Sequence, residues 1–232
     1  VTDKEVKELT VNQSGWTFGD GVKEPIYNAP SGVQTTTIKY SGTAKDGTVL
    51  TDSETAPTKA GDYTVTVSCE TATEIYTGSK EFTIAQKSIN GAEIELGTAL
   101  TYTGAEQTQT VSSVKLNDIT LAEGTDYAVS ANTGINAGSY TLSISGQNNY
   151  TGTLTKSFTI AKKEITITGA SFEERAYAAG QKDVKVTAVA FGDAVLTKGV
   201  DYRATGVMAD DNAGTDKEVT VTVELWNDNY KL

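Results

Sequence analysis

The run Gly61-Asp62-Tyr63-Thr64-Val65-Thr66-Val67, then Tyr76-Thr77-Gly78 and Phe82-Thr83-Ile84-Ala85, recurs as Gly138-Ser139-Tyr140-Thr141-Leu142-Ser143-Ile144, Tyr150-Thr151-Gly152 and Phe158-Thr159-Ile160-Ala161. A weaker third copy starts at Lys163 and includes Asn212-Ala213-Gly214, Val219 to Leu225 and Asn229-Tyr230. A chain that repeats itself at a period of about 75 residues is constrained to fold as like units joined end to end. The repeat predicts three of them, at residues 1–86, 87–162 and 163–232. Units of this size bury roughly 60% of their unfolded surface, enough to fold but with little margin.

Alternation with period two sets the fold class. Tyr63, Val65, Val67 and Cys69 share one face, and Thr64, Thr66 and Ser68 the other, as in a strand buried on one side. Tyr140, Leu142 and Ile144 repeat the pattern, and so do Val219, Val221, Val223 and Leu225. Shorter strand-like runs span 36–40, 80–84, 92–96, 157–160, 164–168, 184–190 and 202–205, punctuated by Asp20-Gly21, Asp46-Gly47 and Asn90-Gly91 turns. The expected class is all-β: three small two-layer sandwiches of immunoglobulin-like style in an extended rod, with a β-grasp-like unit as the alternative. Gly61, Gly138 and Gly214 precede the alternating strands, where positive φ or close backbone approach is expected. No Gly/Ser-rich or Pro-rich linker separates Ala85-Gln86-Lys87 or Ala161-Lys162-Lys163, so neighbouring copies are expected to be coupled stiffly.

Composition narrows the chemistry. The 30 Asp plus Glu outnumber the 19 Lys plus Arg for a net charge of −11, which disfavours nucleic acid and anionic lipid as partners. No run is long and apolar enough for a membrane-spanning helix. With no histidine, His-based triads and His-containing metal clusters cannot be assembled, and catalysis is not expected. The one cysteine, Cys69, falls on the apolar face of its strand and is expected in the core. Tyr63, Tyr76, Tyr140, Tyr150 and Tyr230 recur at fixed places and read as structural, with hydroxyls reaching backbone partners at the rim. Asp126-Tyr127 and Asp201-Tyr202 read as turn and core positions.

Two candidate sites remain. Asp210, Asp211, Asn212 and Asp216 place several hard oxygens in one loop, the donor type calcium takes, although these residues are also ordinary turn formers; otherwise no cofactor is expected. Trp226, beside Asn227-Asp228-Asn229 in a turn, is the residue best suited to stack on a sugar ring. A Lys–Asn or Lys–Asp isopeptide crosslink would need facing buried strands that sequence cannot pair.

The joint pattern resembles a known family. Gly15-Trp16-Thr17-Phe18-Gly19 with Pro57-Thr58-Lys59-Ala60-Gly61-Asp62-Tyr63 is similar to one variant of the mostly-beta, glycine-rich (MBG-type) repeats of large bacterial surface and secreted proteins. Tyr102-Thr103-Gly104, Asp126-Tyr127, Asn136-Ala137-Gly138 and Asn149-Tyr150-Thr151-Gly152 are similar to another variant, which the third copy follows more loosely through Tyr177-Ala178-Ala179-Gly180. The resemblance implies an extracellular, non-enzymatic spacer or stalk segment of a cell-surface or secreted protein. Its partners would be neighbouring repeats of the parent protein and a host or dietary glycan or protein. The alternative is a carbohydrate-binding module of an adhesin or glycan-degrading enzyme. The third copy reaches Asn229-Tyr230-Lys231-Leu232 without a counterpart of residues 153–160, so it is expected to be truncated at its last strand. That would open an apolar trough and a strand edge for another chain's strand, or for the run 4–11, to fill.

Overall fold

The computed structural model describes residues 4–232, and among them only strands, turns and loops form. The chain builds two compact units. One gathers the described residues through Glu95 with Val111–Ala131 and Leu142–Lys156; the other gathers Leu96–Thr110, Asn132–Thr141 and Ser157–Leu232. The division runs through the middle copy of the repeat, not between copies.

In the first unit, strand Gly61–Glu70 lies between Thr35–Ala44 and Glu74–Ala85, antiparallel to both. The period-two pattern decides which side chains are enclosed: Tyr63, Val65, Val67 and Cys69 are at most 5% exposed. Leu9, Val11, Trp16, Tyr40, Phe82 and Ile84 close the same core. Fully burying each of the larger apolar side chains contributes about 1.5–3 kcal/mol. Phe82 lies opposite Tyr63 in the register, with ring centroids 5.8 Å apart, and it stacks on Trp16 at 5.2 Å. Glu5–Glu8 and Trp16–Thr17 both add to Glu74–Ala85 in parallel, beside opposite ends of that strand. The run 4–11 is therefore engaged within this unit through Glu5–Glu8 and through Val11–Asn12, which pairs with Ile26–Tyr27. Here too Val111–Leu116 turns back on Ile119–Leu121, and Tyr127–Ser130 pairs with Gly146 to Ser143.

In the second unit, Tyr202–Met208 pairs antiparallel with Val219–Leu225 on one side and Asp183–Val184 on the other. Gly169–Phe172 pairs antiparallel with Val186–Ala190, across a register shift at Ser171/Phe172. Ile165, Val186, Val189, Phe191, Tyr202 and Ala204 form the core, with Tyr202 hydroxyl accepting the Val189 N–H at 2.8 Å. Leu100–Thr101 runs parallel to Ile160–Ala161, repeating the Trp16–Thr17 arrangement of the first copy.

The expected glycine equivalence holds in part. A Cβ at Gly61 would press on the Thr43 carbonyl, the close approach anticipated, whereas Gly214 faces only the Lys217 side chain. The reason is spacing: Gly138 lies two residues before Tyr140, but Gly214 lies five before Val219, so the third copy's loop is longer. The tightest glycine is Gly78, whose absent Cβ leaves room for the Leu9 carbonyl of the parallel N-terminal segment. Gly78→Ala is expected to destabilise the chain by about 1–3 kcal/mol through steric displacement. Amides of Glu5–Leu9 should exchange faster in hydrogen–deuterium exchange; unchanged protection there would contradict this packing.

Candidate functional site

The most organised polar constellation in the described chain sits where one copy of the repeat follows the next, and it occurs twice. In the first unit, Lys87–Ser88 pairs in parallel with Tyr150–Thr151, Lys87 N–H donates to the Asn149 carbonyl at 2.9 Å, and Ile89 N–H donates to the Thr151 carbonyl at 2.8 Å. In the second, Lys163–Glu164 pairs with Tyr230–Lys231, Lys163 N–H donates to the Asn229 carbonyl at 2.8 Å, and Ile165 N–H to the Lys231 carbonyl at 2.9 Å.

From these short pairs an asparagine reaches back to the preceding copy. Ala60 N–H donates to Asn149 Oδ1 at 3.0 Å, and Ala137 N–H donates to Asn229 Oδ1 at 2.7 Å. The carbonyl of the same peptide unit is held from the other side. Tyr63 hydroxyl donates to the Lys59 carbonyl at 3.0 Å, and Tyr140 hydroxyl donates to the Asn136 carbonyl at 2.8 Å. One peptide bond in each junction is thus fixed at both its donor and its acceptor. Hydrogen bonds in series through one polarisable peptide strengthen one another.

The tyrosine after each asparagine completes the contact. Tyr150 meets Phe18 edge-on at 5.4 Å and 76°, and Tyr230 meets Tyr102 at 5.4 Å and 83°. Phe18 and Tyr102 are equivalent positions, since their N–H groups donate to the Ala85 and Ala161 carbonyls at 2.8 and 2.9 Å. Edge-to-face pairs add about 0.5–1.5 kcal/mol beyond the area they bury. At the first junction Gln86 Nε2 also donates to the Asn148 and Tyr150 carbonyls, both at 2.9 Å. The second junction has the looser pair Lys162–Asp228 at 3.1 Å, with Asp228 almost fully exposed and the pair correspondingly weak.

Electrostatics reinforce the first loop. Lys45 holds the Asp62 carboxyl below the ordinary carboxylate range, helped by Thr83, and Lys59 does the same for Asp46, helped by Thr48. Lys45 N–H donates to the Ala60 carbonyl at 2.8 Å, so the loop carrying the clamped peptide is tied across its base. Burial raises the phenols of Tyr63, Tyr150 and Tyr230 above their ordinary value, keeping them neutral.

The residues singled out from sequence lie elsewhere. Trp226 is 48% exposed at the end of Val219–Leu225, its N–H donating to the Asp201 carbonyl at 2.7 Å. Asp210 Oδ1 accepts from Lys217 Nζ at 2.6 Å and from Asn212 N–H at 2.8 Å, and Lys217 is the main cause of its lowered carboxyl pKa. Asp211 Oδ2 accepts from Gly180 N–H at 3.0 Å, and Asp216 adopts a left-handed φ of 57°. Asp210 and Asp211 thus contact protein donors, and among the described residues no three His, Cys, Asp or Glu side chains converge. The lysine–carboxylate pairs, including Lys45–Asp62, Lys59–Asp46 and Lys217–Asp210, are partly exposed.

Other expectations agree with the structure. Cys69 is fully buried. Asp126 accepts from Ala122 N–H at 2.9 Å and Asp201 from Thr197 N–H at 2.7 Å, while Tyr127 and Tyr202 are buried. Asn149 and Asn229 were legible only as part of the repeated Asn-Tyr phrase; the signal available was that the first copy carries Ile75 at the same register position. Comparison with protein-family models and with curated proteins finds no match for this chain.

Replacing Asn149 by Leu removes the acceptor of a part-buried N–H and is expected to cost about 1–3 kcal/mol. Asn149→Asp keeps an acceptor oxygen and should retain most of the stability. Faster exchange of the Ala60 amide in the Leu variant alone is the signature. Equal behaviour of the two variants would show that the bond contributes nothing.

Proposed function

We propose that this chain is a non-catalytic structural and adhesive repeat array, a spacer or stalk segment of a bacterial cell-surface or secreted protein. It is built of three tandem immunoglobulin-like sandwiches of the MBG-type repeat and works outside the cell. The observation that carries the reading is the twice-built junction. The same peptide, asparagine, tyrosine and aromatic partner recur at two positions, which suits a device for joining successive repeats at a fixed angle more than a site for a diffusible substrate. Its polar atoms are directed at other parts of the chain. The partners in this reading are the neighbouring repeats of the parent protein, with a host or dietary glycan or protein as cargo or target. The acidic surface supports an extracellular role through solubility.

A second reading, a carbohydrate-binding module, draws on the exposure of Trp226. Against it, Trp16, Tyr40, Tyr63, Phe82, Tyr127, Tyr150, Phe158, Phe191 and Tyr202 are all buried, leaving few rings for a sugar platform.

Small-angle scattering tests the spacer. A globule of this length has a radius of gyration of about 17 Å. A stiff array should exceed that clearly and keep its profile at high salt, because hydrogen bonds and ring contacts, not exposed ion pairs, fix its junctions. A globular profile would overturn the spacer reading. Binding on a glycan array that Trp226→Ala abolishes would establish the alternative.

A further inference from the structure

The main sheet of the first unit ends at strand Val49–Ser53. It runs antiparallel to Thr35–Ala44, with Leu50 opposite Gly42 and Val49 opposite Thr43, and among the described residues it pairs with no other strand. Ala44 N–H donates to the Thr48 carbonyl at 2.9 Å across the hairpin. Bonded and non-bonded pairs alternate along an antiparallel ladder, so Leu50 is bonded inward and the N–H groups of Val49 and Thr51 point away from the sheet. The register then shifts between Tyr40 and Gly42, where Asp52 takes a left-handed φ of 47° and its N–H turns back to Ser41 Oγ at 2.9 Å. The open edge is therefore residues 49–51.

Side chains alternate across this edge. Val49 lies on the outer face beside Thr43 and is 67% exposed, whereas Thr48 and Leu50 share the inner face with Tyr63. On that inner face a mainly apolar hollow of about 220 Å³ opens among Ala44, Thr48, Leu50, Ala56, Pro57 and Tyr63. An apolar cavity of about 150 Å³ holds a benzene ring, so this one has room for one large apolar side chain. The space is not a requirement of the repeated clamp. Pro57 stands three residues before Ala60 as Gly134 stands before Ala137, and a Cβ at Gly134 would lie 2.6 Å from the Tyr140 ring. Charge marks one end of the edge. Asp52 and Glu54 are exposed there, and Lys59, the lysine at the hollow, is held by Asp46 at 2.7 Å, which leaves both acids without a cationic partner among the described residues.

The geometry points to a peptide-docking site at residues 49–51 of the first unit. Its occupant is an extended segment of another protein that adds as a strand beside Val49 and places one large apolar side chain opposite Leu50, into the hollow. Lysine or arginine at the end of that segment meets Asp52 and Glu54. Backbone bonds supply the affinity, and the hollow and the acids set register and choice of partner. The site stands on register and lining within one unit and holds whether or not the array is a spacer.

A labelled peptide of alternating threonines with one central phenylalanine and a lysine at each end, titrated onto the full chain by fluorescence anisotropy, tests it. Saturable binding of one peptide per chain, with increased hydrogen-exchange protection of the Val49 and Thr51 amides, is the expected result. Serine in place of the phenylalanine should weaken binding at least about tenfold. Val49→Pro removes an N–H that holds no bond within the sheet, so it should leave exchange in Gly61–Glu70 unchanged and abolish binding. Asp52→Asn with Glu54→Gln, which keeps the edge intact, should weaken binding and flatten its salt dependence. Absence of binding, equal binding of the two peptides, or full binding by either variant overturns the site. So does self-association without peptide that protects the same amides, because a second copy of the chain would then hold the edge.

Discussion

The peptide units joining Lys59 to Ala60 and Asn136 to Ala137 are each held at both their donor and their acceptor. Each offers its carbonyl to a tyrosine four residues on and its N–H to an asparagine from the following copy. The tyrosine's ring faces the phenylalanine of its own copy, Phe82 or Phe158, so core packing orients the hydroxyl, and the hydroxyl orients the peptide. The position of each peptide is thereby tied to the ring packing around Tyr63 and Tyr140.

The net stability of a folded chain is a small difference between large opposing terms, so single well-made contacts weigh heavily in it. One or two kcal/mol is a sizeable share of that difference, which is the scale of a ring contact with its hydrogen bonds. Tyr150 illustrates this: it is buried, meets Phe18 edge-on, and belongs to the short parallel pair with Lys87–Ser88. The third copy departs from the scheme on both counts. Val219 stands where the clamp tyrosine would be, and the loop before it is longer.

Much of the fold was legible because its cause is local. Period-two alternation places Val65, Val67, Leu142 and Ile144 in the core, and tyrosines at a fixed distance from a turn reach its carbonyls. Strand lengths were less legible. Residues 36–40 extend to Thr35–Ala44, whereas of residues 164–168 only Glu164 is in a strand, Lys163–Glu164, since pairing partners and not propensity decide where a ladder stops. The candidate site was least legible, because the Ala60–Asn149 bond joins residues 89 apart and two-residue parallel pairs carry no periodicity. A tryptophan such as Trp226 or a cluster of acids around Asp210 attracts attention in a sequence, whereas a half-buried asparagine before a tyrosine does not.

A double-mutant cycle between Tyr63→Phe and Asn149→Leu tests the central claim most directly. The tyrosine change deletes only the hydroxyl, so the cycle isolates whether the two bonds act through their shared peptide. A doubly clamped peptide predicts non-additive losses, with a coupling of about 0.5–1 kcal/mol or more. Strict additivity would contradict the account and reduce the junction to two unrelated hydrogen bonds.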